Sequence, residues 1–385
     1  MLGSRAKLSA YMMLNKLGEK LLVPVLHQVV KTDTRTDENF LDMRQGSEFT
    51  KQIKIVTMVY VKIFAGCGSS KTDHPVEKEA NAVDIKQEKS TEKTEDKISI
   101  VCTTFPQYDW VREVIGDQKE QFDLTLLLDD GVDLHSYQPT AEDIAKISSS
   151  DIFIYVGGES DGWVEDALEE ATNPDLKAIN MMEVLGDTVK EEEIVEGMQA
   201  EEGEEEPEYD EHVWLSLKNA KVLVENISDT IQAVDTKNAQ SYKENALTYL
   251  EKLNQLDSQY EETVQNANVK AVVFGDRFPF RYLVDDYKLN YYAAFVGCSA
   301  ETEASFETIT FLAKKVDELG LNAILTIEKS NHEIAETIKQ NTEKKNQNIL
   351  SMNSLQSVTN ADLDEGFTYL KAMQDNLEVL KQALN

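Results

Sequence analysis

Residues 237–267 read KNAQSYKENALTYLEKLNQLDSQYEETVQNA and contain neither Gly nor Pro. Ala239, Tyr242, Ala246, Leu250, Leu253, Leu256, Tyr260 and Val264 recur at intervals of three or four, the repeat that lines one face of an α-helix with apolar side chains. At 1.5 Å per residue this helix is about 45 Å long, enough to run along two small lobes. Before it come four β-rich runs, 98–103, 124–128, 152–156 and 176–179; after it come four more, 271–274, 291–295, 323–327 and 349–352. Helical patterns separate the runs, which is the signature of parallel α/β units. The expected fold is therefore α/β: two small parallel-sheet lobes, 97–236 and 268–385, joined by one long rigid helix, with a ligand cleft between the lobes. A helix of this length acts as a strut and permits only modest closure. Ligands of open α/β sheets sit beyond the carboxyl ends of the strands, so the site is expected where the two sets of ends face each other.

Composition narrows the function. The chain has 385 residues, 71 acidic against 38 basic, for a formal charge of −33. That length favours more than one core. The acidic balance argues against holding nucleic acid or an anionic membrane surface by simple electrostatics and suits the attraction of cations. Three cysteines, Cys67, Cys102 and Cys298, are too few and too scattered for a disulfide framework or a structural zinc knuckle. Gly157-Gly158 follows a β-rich run but lacks the other glycines of a dinucleotide fingerprint.

Residues 1–66 are a different kind of polypeptide, with ten basic against six acidic residues. Within them, 43–66 combine a basic start, the mostly apolar run 55–65 and small residues ahead of Cys67. This is a signal-peptide arrangement, and its Ala65-Gly66-Cys67 ending resembles a bacterial lipoprotein signal whose cysteine is acylated after cleavage. An apolar N-terminal strand or helix is the competing reading. Residues 1–42 fit neither, and translation is expected to start at Met43. Residues 67–96, rich in Lys, Glu, Ser and Thr and without an aromatic residue, read as a disordered tether.

Two of the five histidines stand out. His135 lies in DDGVDLHSYQPT (129–140), just past a β-rich run, and His212 in YDEHVWLSL (209–217). Loop histidines among carboxylates are candidate metal ligands, because neutral imidazole suits Zn²⁺ and nearby acids offset its charge. Here the chain resembles the zinc and manganese solute-binding proteins of ABC-type metal importers, in their bacterial lipoprotein form. Their motif GVDPHSYEPT is matched by residues 131–140, with Leu134 and Gln138 as the changes, and their DPHVWL by 210–215. TFPQYDW (104–110) and FRYLVDDY (280–287) extend the resemblance, which runs from about residue 97 to 385.

The resemblance implies one transition-metal site in the cleft, with His135 and His212 as its first two ligands. The third family ligand, a His or Glu, falls at Arg277, with Asp276 adjacent; the fourth, an Asp, falls at Asn353. Asp276 is taken as the third ligand, with Glu301 or Glu328 as further candidates near other strand ends. An Arg cannot coordinate a cation, so Arg277 is expected to pair with a carboxylate or hold an anion beside the metal. Cys102 and Cys298 follow β-rich runs near the cleft; a disulfide or a thiolate ligand is outweighed there by the reading as small buried apolar side chains. The acidic loop 190–211, with twelve acidic residues, is expected either to gather cations near the site or to be solvated without a specific role.

By resemblance the chain is not an enzyme. The resemblance implies a monomeric extracytoplasmic protein, lipid-anchored to the outer face of the cell membrane, that binds Zn²⁺ in preference to Mn²⁺ and hands the ion to an ABC-type permease with its ATPase subunit. Two other classes compete: a zinc-dependent hydrolase using His135, His212 and a carboxylate, and an acidic surface adhesion protein. No His-Glu-x-x-His stretch supports the hydrolase.

Overall fold

The computed structural model describes residues 97–199, 208–299 and 303–385. The readings for 1–42, 43–66, Cys67 and 67–96, and the candidate Glu301, lie outside the described residues.

The first lobe runs β1 (Ile98–Cys102), α1 (Phe105–Ile115), β2 (Phe122–Leu126), α2 (Ala141–Ser149), β3 (Ile152–Tyr155), α3 (Val164–Glu169), β4 (Lys177–Asn180), α4 (Met181–Leu185) and α5 (Leu217–Val234). The long helix α6 (Ala239–Gln265) follows. The second lobe runs β5 (Ala271–Phe278), α7 (Arg281–Tyr287), β6 (Asn290–Val296), α8 (Phe306–Leu319), β7 (Ala323–Ile327), α9 (Glu333–Asn341), β8 (Asn348–Met352), α10 (Asn360–Asp364) and α11 (Tyr369–Ala383). Among the described residues no helix is long and apolar enough to cross a membrane.

Each lobe holds one four-stranded sheet, ordered β2-β1-β3-β4 and β6-β5-β7-β8. All pairs are parallel; Ile100 sits opposite Leu124 on one side and Ile152 on the other. Helices cover both faces, which is why the central strands β3 and β7 are buried along almost their whole length rather than at alternate residues. In both sheets the winding reverses between the first and third strands. The crevice at such a switch point, outside the carboxyl ends, is where side chains from several loops converge.

Local chemistry starts several of the helices. Thr104 closes a capping box with Gln107 at the head of α1, and Thr140 does the same with Asp143 for α2. The fifth strand is longer than the run 271–274: β5 continues to Phe278 through a bulge between Phe274 and Arg277. Gly275 stands there because α9 approaches closely, and a Cβ would lie 2.6 Å from the Ala335 Cα. Beyond the bulge the strand resumes its pairing with β6, Arg277 opposite Phe295, so the irregular step sets the directions of Asp276 and Arg277.

Helix α6 has 27 residues and is about 40 Å long at 1.5 Å per residue. Its first half serves the first lobe: Tyr242 packs edge-on against Phe122, and Asn245 Nδ2 donates to Val114 O at 3.0 Å. Its second half serves the second: Tyr260 stacks on Tyr287 and donates its hydroxyl to Met373 O at 2.7 Å. The strut is not the sole tie. Tyr369, at the head of α11, donates N–H to Asp109 Oδ2 (2.8 Å) and O–H to Trp214 O (2.7 Å), while Trp214 Nε1 donates to Ser354 O (2.9 Å). One buried apolar cluster runs through both lobes as a result, and a smaller one lies under α8 and α9.

Candidate metal centre

The same local device presents both histidines. Asp133 accepts the backbone N–H of His135 at 3.1 Å, and Asp210 accepts that of His212 at 2.8 Å. A carboxylate two residues ahead thus turns the chain at each histidine, with His135 inside the short 3₁₀ turn Leu134–Ser136 and His212 just before the turn Val213–Leu215. Buried Leu134 and buried Val213, Trp214 and Leu215 pin those turns to the core.

The ring nitrogens are sorted. His212 is fully buried, and its Nδ1 lies 2.9 Å from Asp210 Oδ1. His135 Nδ1 lies 2.9 Å from Ser160 Oγ and 3.4 Å from Glu211 Oε2. Oxygen acceptors on both Nδ1 atoms assign the proton there, leaving the Nε2 lone pairs to face each other at 3.3 Å. Facing lone pairs repel unless a proton or a cation lies between them. Two nitrogens each about 2.0–2.1 Å from a tetrahedral Zn²⁺ stand about 3.3 Å apart, so the pair fits the ion as it stands.

Charge around the pair fits as well. Burial opposes protonation of His212, yet Asp210, with Glu211 behind it, carries its pKa above the ordinary histidine value against the Arg277 guanidinium. Burial likewise opposes ionisation of Glu211, but His135 and the Ser160 donors hold its carboxyl below the usual range. Ser160 N donates to Glu211 Oε1 at 2.8 Å. Each imidazole therefore has an anchored carboxylate behind it, the arrangement that orients a ligating histidine and raises its basicity.

The second lobe contributes differently from expectation. Arg277 pairs with Asp133 across the cleft, the carboxylate-pairing alternative for this side chain, and holds Asp133 below the usual range although burial opposes it. Asp276 does not join the imidazoles: Oδ1 accepts the Arg277 N–H at 2.9 Å and Oδ2 the Ile327 N–H at 3.4 Å, as the bulge dictates. Glu328 accepts both the N–H and the hydroxyl of Ser354 at 2.7 Å, and Asn353 Oδ1 accepts Leu355 N–H at 2.8 Å. Those two side chains build the loop that receives Trp214. Cys102 and Cys298 are both free, so no disulfide joins them. Among the described residues, the group able to hold a metal is His135, His212 and Cys298, whose ligand atoms lie within 4.8 Å of one another.

The acidic loop also departs from a purely solvated reading where it is described. Its two legs pair, with Glu192 N–H to Glu208 O at 2.8 Å and Asp210 N–H to Lys190 O at 2.9 Å. Glu192 reaches the second lobe and accepts the Cys298 N–H at 3.0 Å. Asp210, Glu211, Ser160 and Glu192 were missed as site residues from sequence. The Asp-x-His offset shared by 133–135 and 210–212 is the signal that could have found the first of them.

Two parallel-sheet lobes on a long strut, with a carboxylate-backed imidazole pair at their facing strand ends, define a two-lobed metal-site protein of the solute-binding type. The chain belongs to the ZnuA family, zinc-uptake complex component A periplasmic, whose profile it matches over residues 100–383. The zinc-binding lipoprotein AdcA of Streptococcus pneumoniae is 32% identical over 293 residues, which cover 74% of this chain and 56% of that protein. The chain thus spans little more than half the length of the streptococcal relatives it matches. The structure of the Zn(II)-bound ZnuA-like domain of S. pneumoniae AdcA has a TM-score of 0.60 at 30% identity, covering 75% of this chain and 99% of that one. The metal-dependent lipoprotein YcdH from Bacillus subtilis gives a TM-score of 0.62 at 27% identity, with coverage of 75% and 99%.

Proposed function

We propose that this protein captures Zn²⁺ outside the cytoplasm and delivers it to an ABC-type permease driven by an ATPase subunit, tethered to the membrane through a lipid on Cys67. It acts as a binding protein and not as an enzyme. The observation that carries this reading is the imidazole pair, with Nε2 atoms 3.3 Å apart and both Nδ1 atoms facing oxygen acceptors. The zinc-binding names of the relatives and the family's role in uptake support the same ion and the same route. Nitrogen ligands at low coordination number favour Zn²⁺ over Mn²⁺, which prefers more oxygen donors.

Titration of the metal-free chain against a competing chelator tests the site. One Zn²⁺ per chain is expected, with His135→Ala and His212→Ala each weakening it at least a hundredfold. Unchanged affinity in both variants would overturn the assignment.

A further inference from the structure

We infer that the Cys298 thiolate is the second lobe's ligand to the metal, making the centre a His₂Cys site with its fourth position left to a small exchangeable ligand. This rests on the imidazole pair being the metal centre. The Sγ atom and one nitrogen of each ring already lie within 4.8 Å of one another. In a tetrahedral zinc site, with Zn–S about 2.3 Å and Zn–N about 2.0–2.1 Å, sulfur and nitrogen stand about 3.5 Å apart. An approach of about an ångström by the loop or the second lobe completes the site, well within the modest closure a strut allows.

The surrounding residues point the same way. Gly297 lets β6 end directly against the His212 ring: a Cβ there would lie 3.0 Å from His212 Cε1, 3.1 Å from Nδ1 and 2.9 Å from Phe278 O. The close passage brings the next side chain to the imidazoles. Glu192 fixes the turn by accepting the Cys298 N–H, and the thiol is in no disulfide. Position singles out Cys298, which groups with both imidazoles, while Asp276 is turned to two backbone N–H groups and Glu328 to Ser354.

Binding through sulfur releases a proton of its own: the S–H bond breaks, the S–Zn bond forms, and the thiol proton leaves to solvent, in addition to any proton that an imidazole gives up on ligating the ion. A thiolate also shifts preference from Mn²⁺ toward softer ions such as Cd²⁺.

The test uses the full chain. X-ray absorption at the zinc edge should show one sulfur at about 2.3 Å beside nitrogen neighbours. Cobalt(II) substitution should give a thiolate-to-cobalt charge-transfer band, lost in Cys298→Ser and kept in Cys67→Ser and Cys102→Ala. Cys298→Ser should still bind one zinc, at least tenfold more weakly, with its preference for zinc over manganese reduced. Bound zinc without a sulfur neighbour, or a band that survives Cys298→Ser, would overturn the thiolate assignment and leave the imidazole centre standing. A wild-type chain that binds no zinc, or binds it independently of both histidines, would remove both.

Discussion

Asp210→Asn separates charge from geometry behind His212. In the wild type one oxygen, Oδ1, accepts both the His212 backbone N–H at 2.8 Å and the Nδ1–H at 2.9 Å, in a side chain only 2% exposed. Asparagine keeps that oxygen, so the turn, the tautomer and the fold should survive, and only the negative charge is lost. Adding the imidazole width and a Zn–N bond to the hydrogen bond places the carboxylate about 6–7 Å from the ion. At an effective dielectric of about 20 a unit charge and a dication at that separation interact by about 5 kcal/mol, an upper bound. Partners behind a ligating histidine are typically worth 10–100-fold in affinity, about 1.4–2.8 kcal/mol, and the expected loss lies in that range. Chelator competition at neutral pH measures it. The variant should also show a flatter pH dependence. Asp210 raises the His212 pKa, so wild-type affinity falls as pH drops through that value, and removing the charge shifts proton competition to lower pH. If Asp210→Asn binds zinc within twofold of wild type while His212→Ala abolishes binding, the carboxylate is not tuning the ligand.

Gly297→Ala places a methyl against the His212 ring and Phe278 O, and should lower zinc affinity at least tenfold while the chain still folds; unchanged binding by calorimetry would show that β6 ends farther from the ring. Leu253→Ala, in the fully buried face of α6, should cost about 2–5 kcal/mol in urea unfolding, as large-to-small core substitutions do. Asp109, buried beside Arg112, has its pKa pushed up by burial to about 6. Its native pKa therefore exceeds the unfolded one of about 3.9, the native state holds the extra proton, and apo stability should fall as pH rises from about 4 to 6. Asp109→Asn should flatten that slope in thermal melts, and an unchanged slope would place the titration elsewhere.

The two lobes and the strut were readable from sequence because their signals are local. The apolar face from Tyr242 to Val264 repeats within a few residues, and runs such as 152–156 and 323–327 carry their burial in their own composition. The two histidines were readable for the same reason, each embedded in a contiguous motif that makes its own turn. What completes the site is decided by approach across the fold. Whether Arg277 meets Asp133, whether Asp276 faces the cleft or the β7 backbone, and whether Cys298 nears His212 all depend on a bulge in β5 and a glycine at the end of β6. Those contacts join strand ends far apart in the chain, and their distances follow from how two sheets, a long helix and the α11 cross-tie pack together. No residue type or local spacing encodes that relation, so only the tertiary structure could turn Asp276 away from the imidazoles and bring Cys298 near them.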